Sequence, residues 1–276
     1  GEHNFRQLPA IADVPFRERW ETVRPRVENP AVKIALFSGC VQDFVYPEQL
    51  EAALALFEQK QVGVEFPMDQ SCCGLPVQMM GEPQAAAQVA AQNVLALDLD
   101  QVDYVVTLCA SCASHLKKNY PKLLENRASL SLKARTLAEK ILPLSSFCHD
   151  VLNMDSAEFS PGGPKTTYHA PCHLCRGLDV KDAPHSLFKN AGLDFVKALE
   201  EETCCGFGGT YSTKFPSISA EILGRKLDDV TATGADRLIT ECPGCILQLR
   251  GGAARKGMKL EVKHIAEALQ ERLKKE

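Results

Sequence analysis

Two stretches of the chain, QSCCGLPV at residues 70–77 and EETCCGFGG at residues 201–209, carry adjacent cysteines followed by glycine. Around them the spacing repeats. Cys40, Cys72 and Cys73 recur 132 residues later as Cys172, Cys204 and Cys205, and the pair Cys109 and Cys112 recurs 133 residues later as Cys242 and Cys245. Five cysteines held in register over such a distance mark a duplicated structural unit. Each copy offers one cysteine, a Cys-Cys-Gly triplet and a CxxC pair. Neighbouring residues of an extended chain point their side chains apart, so two adjacent thiols converge on one object only where the backbone turns sharply. Gly74 and Gly206 supply that turn, because glycine enters positive φ without a Cβ clash.

Several chemistries use such residues. A CxxC between a strand and a helix, as in VVTLCASC, passes alone for a thioredoxin-like redox pair. Zinc takes four Cys or His ligands, and an ordinary iron–sulfur cubane takes about four cysteines. Each copy here offers five. A compact metal–sulfur cluster in which one thiolate bridges two irons would use all of them, and the duplication would make two such clusters. Buried structural cysteine is the bland reading. It suits Cys148, whose counterpart is Ala266, better than it suits ten positions in register. Cys175 forms an extra CxxC with Cys172, but its counterpart is Asp43, so it reads as a nearby thiol outside the repeated set.

The elements that must position these residues repeat as well. VKIALFSGC and KTTYHAPC are short strand-like runs ending at a cysteine. A helical stretch follows in each copy (PEQLEAALALFEQK, PHSLFKNAG), then a second strand (GVEFPMD, LDFVKAL) leading into the Cys-Cys-Gly turn. Long helices (EPQAAAQVAAQNVLALD, SISAEILGRKLDDVTATG) and apolar strands (VDYVVTL, ADRLITE) deliver the CxxC pairs, and PLSSFCHDVL and VKHIAEALQERL close the copies. Strands alternating with helices predict an α/β fold of two pseudo-symmetric repeats, each a small parallel sheet flanked by helices. In such sheets, ligand-bearing residues gather where strands end and helices begin. The expected organisation is a charged leader or linker over residues 1–30 with Trp20 as its anchor, a first module over 31–150, a linker over 151–164 and a second module over 165–276.

Composition narrows the function. The 276 residues are 45% hydrophobic with a formal net charge of -4, and the pI is near 6.0. That balance provides no broad basic surface for nucleic acid. No apolar run approaches the roughly 18 residues of a membrane span, although docking on a peripheral membrane complex stays open. The start of the chain shows no basic region followed by an apolar one, so no export signal is read. A reducing cytoplasm is then expected, where clustered cysteines hold metal or do redox chemistry more often than they pair.

At these motifs the sequence resembles the cysteine-rich CCG domain family, which includes the CCG-bearing subunit of heterodisulfide reductase, the glycolate oxidase iron–sulfur subunit and the lactate-utilisation branch. The resemblance covers residues 31–270, and LFSGCVQDFVYPE, FPMDQSCCGLP, TYHAPCHL, CCGFGGTYS and VKHIAEAL are most similar to the lactate-utilisation branch. It implies two noncubane [4Fe-4S] clusters. One would be held by Cys40, Cys72, Cys73, Cys109 and Cys112, the other by Cys172, Cys204, Cys205, Cys242 and Cys245. It also implies redox partners, either ferredoxin-like or lactate-utilisation subunits, in separate chains or fused in one longer chain with residues 1–30 as the joint. Short lactate-utilisation members often keep only the second cysteine of each CxxC. The presence of both Cys109 and Cys242 leans toward disulfide-reducing chemistry.

Where the copies differ, shared architecture is not the reason. His169 and His173 flank Cys172, whereas the first copy has Phe37 and Val41; Gly208 and Gly209 replace Pro76 and Val77. Histidine titrates near neutrality and can donate a proton, so His169 and His173 are candidate proton donors and the reactive face is expected on the second module. His115, His149 and His264 read as ordinary.

Overall fold

Short apolar runs form the centre of each repeat because they are buried on both faces, as parallel sheets covered by helices require. A computed structural model of the chain describes residues 9–274. The first half runs α1 (Phe16–Val23), β1 (Lys33–Leu36), α2 (Val41–Phe44), α3 (Pro47–Gln59), β2 (Gly63–Glu65), α4 (Leu75–Met79), α5 (Pro83–Ala96), β3 (Tyr104–Thr107), α6 (Ala110–Lys118), α7 (Tyr120–Leu123), α8 (Ala128–Lys140), β4 (Ile141–Pro143) and α9 (Leu144–Ser146), with a π-helical turn at Phe147–Val151. The second half runs β5 (Thr166–Tyr168), a π-helical turn at His173–Gly177, α10 (Asp182–Asn190), α11 (Tyr211–Lys214), α12 (Pro216–Ala232), β6 (Arg237–Thr240), α13 (Pro243–Arg255), β7 (Glu261–His264) and α14 (Ile265–Gln270).

The first sheet has the order β2-β1-β3-β4 and the second β5-β6-β7, with every pairing parallel. Both copies therefore place their first strand beside the strand that delivers CxxC. Ile34, Ala35, Leu36, Val105 and Val106 fill the first core, and Tyr168, Leu238 and Ile239 fill the second. The expected strand LDFVKAL is cut to a single parallel bridge between Thr166 and Phe195. Two ladder bonds form there, from Thr166 N–H to Asp194 O and from Val196 N–H to Thr166 O, both 2.8 Å. Beyond them the chain leaves the edge toward the exposed Leu199, and Glu200 N–H turns to the Asp229 carboxylate instead.

The chain divides into two compact units, Ile11–Phe147 and a second one built mainly from Cys148–Glu276. Helix α1 lies inside the first unit. Its Phe16 and Trp20 are buried and meet Phe66 at ring-centroid distances of 5.2 and 5.5 Å. Arg17, on the same helix, pairs with Asp43 at 2.7 Å, and the Asp43 side chain is fully buried. The Arg17 backbone N–H also donates to Asp43 Oδ1. Residues 1–8 of the expected leader lie outside the described residues. In the second unit, the buried Arg237 on β6 is satisfied by Glu261 at 2.7 Å and Glu271 at 2.8 Å, which a buried cation requires.

Candidate metal centres

The repeated cysteines outside the Cys-Cys pairs sit at or near the start of a helical segment, and the two Cys-Cys pairs lie in loops. Cys40 precedes α2, Cys109 precedes α6 and Cys242 precedes α13. Cys172 opens the π-helical turn at His173–Gly177. At Cys109 the helix start is built around sulfur, since the Cys112 backbone N–H donates to Cys109 Sγ at 3.4 Å. A helix N-terminus favours negative charge there and so favours thiolate. Gly74 and Gly206 adopt φ of 85° and 84°, the left-handed turn anticipated after each Cys-Cys pair. In the second copy, Gly206 N–H donates to Cys204 Sγ at 3.3 Å.

The turns bring five thiols together in each unit, and in the same order. Side-chain interactions that shift proton affinity link Cys40, Cys72, Cys73, Cys112 and Cys109 in succession. The second set links Cys172, Cys204, Cys205, Cys245 and Cys242, with Cys205 Sγ 3.4 Å from Cys245 Sγ. Exposure also matches: Cys40 and Cys72, like Cys172 and Cys204, are half-buried, and the other three of each set are buried. One edge of each quintet therefore faces solvent.

Crowding splits the proton affinities within each quintet. The neighbouring Cys40 thiol draws Cys72 down to about 2, with Cys73 adding to the effect. Cys172 does the same to Cys204. Their partners move the other way. Cys40 and Cys172 are pushed up by that same interaction and by burial. Cys112 is pushed up by Cys109 and Cys73, and Cys245 by Cys205 and Cys242. With protons alone the quintets cannot all ionise, because each new thiolate sits against another. Cations that bind thiolate in place of protons relieve that repulsion. Five soft sulfur donors exceed the four of a tetrahedral zinc site and fit an iron–sulfur centre.

The remaining cysteines stand apart from these chains. Cys148 is raised by burial and then by Glu241; Cys175 is raised by burial and then by Glu202. His169, at the end of β5, is 1% exposed and held down to about 4, burial being the largest cause. One of its ring nitrogens lies within 4.8 Å of both Cys205 Sγ and Cys245 Sγ. His173 is half-buried at the start of its π-helical turn.

Some residues near the centres are not expected from the sequence. His115, which reads as ordinary in the sequence, is buried on α6 one turn after Cys112 and helps to hold Cys72 down. Its Nδ1 meets Asn119 Nδ2 at 3.0 Å. Asn93 Nδ2 donates to Cys72 O and to Tyr120 Oη, both at 2.9 Å, and Tyr120 Oη donates to Cys73 O at 2.9 Å. In the second unit, Ser219 Oγ donates to Gly206 O at 2.7 Å and is itself held by Gln248 Nε2 at 3.0 Å. A signal for Asn93 existed: it is the polar residue on the buried face of an alanine-rich helix. By contrast, His264 caps α14 by accepting from Ala266 N–H, and the half-buried His149 pairs with the exposed Asp150 at 2.6 Å.

Comparison with known proteins agrees with this geometry. The family described as "Cysteine-rich domain" (CCG) matches twice, over residues 34–117 and 166–250. The chain belongs to the cysteine-rich CCG domain family. Curated relatives of this CCG protein include lactate utilization protein A of Geobacillus sp. (strain WCH70), 36% identical over 87% of this chain and 100% of the relative. Lactate utilization protein A of Geobacillus kaustophilus (strain HTA426) is 38% identical with the same coverage. That of Exiguobacterium sp. is 33% identical over 87% of this chain and 98% of the relative. Among solved structures, a hypothetical protein from Helicobacter pylori superposes with a TM-score of 0.57 at 13% identity; the match covers 95% of this chain but only 54% of that chain. That likeness concerns the fold. Among the described residues, no helix is long and apolar enough to cross a membrane.

Proposed function

We propose that this CCG protein is an iron–sulfur redox subunit that passes electrons in the oxidation of lactate or a similar 2-hydroxy acid. The observation that carries the reading is the pair of thiol quintets, linked in one order in both units. Each quintet would hold a noncubane [4Fe-4S] cluster through all five sulfurs. Such a centre supplies one-electron chemistry when bound. The residues of the chain do the rest. Gly74 and Gly206 turn the backbone so that adjacent thiols converge. Asn93 and Tyr120 fix the first Cys-Cys pair through its carbonyls, and Ser219 fixes the second through Gly206. The half-buried thiols at one edge of each quintet offer the route for electron exchange with partner redox subunits, ferredoxin-like or of the lactate-utilisation set, in the cytoplasm. Of the two candidate proton donors, His173 is half-buried beside Cys172, whereas burial keeps His169 neutral.

The test is anaerobic determination of iron and acid-labile sulfide, with EPR of oxidised and reduced protein. About eight irons per chain are expected if each site holds four. A colourless protein with a stoichiometric zinc content and no sulfide would exclude the reading. A second reading, reductive cleavage of a disulfide, is favoured by one observation: Cys109 and Cys242, the first cysteines of the CxxC pairs, both join their quintets. Turnover of a low-molecular-weight disulfide with a reduced one-electron donor separates it from electron relay.

A further inference from the structure

His169 occupies a position that the fold does not need to fill with a polar group. The equivalent residue in the first unit is Phe37, also buried, with 0% exposure. An apolar aromatic ring therefore suits the end of the first strand. In the second unit an imidazole takes its place, 1% exposed; neither ring nitrogen reaches a partner with hydrogen-bond geometry among the described residues, although the Glu201 backbone lies close enough to act on the ring. Burying a polar group unpaired costs about 1–3 kcal/mol. The nearest soft acceptors are the sulfurs of Cys205 and Cys245, 3.4 Å apart, with an imidazole nitrogen within 4.8 Å of both.

We infer that His169 is a positioning residue that donates its ring N–H to a sulfur of the second centre, and that this bond raises the potential of that centre. The inference rests on the iron–sulfur reading above. A neutral imidazole carries one N–H donor, and a hydrogen bond to cluster sulfur favours the more negative, reduced form. The first unit brings a buried imidazole from another element. Its buried imidazole, His115, comes from α6 rather than from the strand end, and one of its nitrogens is engaged by Asn119. The residue in the second unit equivalent to His115 is Gln248, which bonds Ser219. The two copies have thus exchanged which position carries the histidine, and a ring nitrogen of His169 lies within 4.8 Å of both Cys205 and Cys245 sulfurs.

The test compares wild type, His169→Phe and His169→Gln as full-length anaerobic protein in redox titrations followed by EPR and visible absorbance. His169→Phe copies the first unit and is expected to shift one midpoint potential downward while leaving the other in place, at wild-type iron content. His169→Gln, which keeps an N–H donor, is expected to restore part of the shift. In wild type labelled with ¹⁵N-histidine, pulsed EPR of the paramagnetic state should show a weak nitrogen coupling and an exchangeable proton, both lost in His169→Phe. Unchanged potentials in an iron-replete His169→Phe protein would overturn the inference alone. If His169→Phe does not retain iron, His169→Gln and the wild-type spectrum decide, and the absence of a His169-dependent coupling counts against it. Wild-type protein without iron and sulfide would remove the underlying reading and the inference with it.

Discussion

At the scale of single residues, the glycine after each Cys-Cys pair decides whether two adjacent thiols can share one centre. A Cβ at Gly206 would lie 2.6 Å from the Ser219 backbone oxygen, whereas one at Gly74 would meet the Val89 side chain at 3.1 Å. Backbone cannot yield as a side chain can, and both positions have positive φ. Gly206→Ala is expected to cost about 2 kcal/mol or more, more than Gly74→Ala, with the second centre lost first. Urea unfolding and iron content measure both effects. His169 gives a pH signature in cluster-free protein. Its folded value near 4 lies below the ordinary value of about 6.5, so the unfolded chain takes the proton first. The associated stability is complete above about pH 6.5 and declines as pH falls toward 4, by up to about 3 kcal/mol. His169→Phe is expected to flatten that slope in chemical denaturation at stepped pH.

At the scale of elements, α1 shows how a segment outside the repeat became part of a module. Its charged sequence, RERWETV within Phe16–Val23, reads as a solvated leader. Trp20 was legible as an anchor because a lone tryptophan in a polar stretch has few other uses. The partner of Arg17 was not legible, since Asp43 is 26 residues away and its burial depends on how α2 lies. Arg17→Ala leaves the Asp43 carboxylate buried without its cation. Arg17 is itself partly exposed, so the expected destabilisation of the first unit is about 2–4 kcal/mol, at or below the range for broken buried pairs. A lowered urea midpoint, with the second unit's iron signal unaffected, is the readout. The edge strand of the second sheet is shorter than its sequence predicts for a related reason. LDFVKAL has strand composition, but only Phe195 bridges Thr166, because the following residues leave the sheet edge toward the Asp229 carboxylate at Glu200.

At the scale of the whole chain, each unit carries a complete quintet from its own strands and helices. Cys73→Ser and Cys205→Ser should therefore each remove about half of the iron and leave the other centre's EPR signal intact, whereas Cys148→Ser and Cys175→Ser should leave iron content at the wild-type level. Iron analysis beside EPR of the four variants checks this independence. Loss of all iron from either quintet variant would mean that the units assemble their centres jointly.

The repeat of 132 and 133 residues, legible in the chain alone, determined the duplication, the parallel α/β units and the ten sulfurs. Periodicity compares equivalent positions, and those features occupy equivalent positions. Which neighbours surround each centre was decided by the tertiary structure. The second unit has His169 at its strand end, where the first has Phe37; the first unit has His115 on α6, where the second has Gln248. Comparing the copies position by position reads this as two unrelated differences, since proximity to a thiol depends on how distant segments converge. The same holds for Tyr120 and Ser219, whose partners are backbone carbonyls: any residue type presents those, so no side-chain pattern in the sequence announces them.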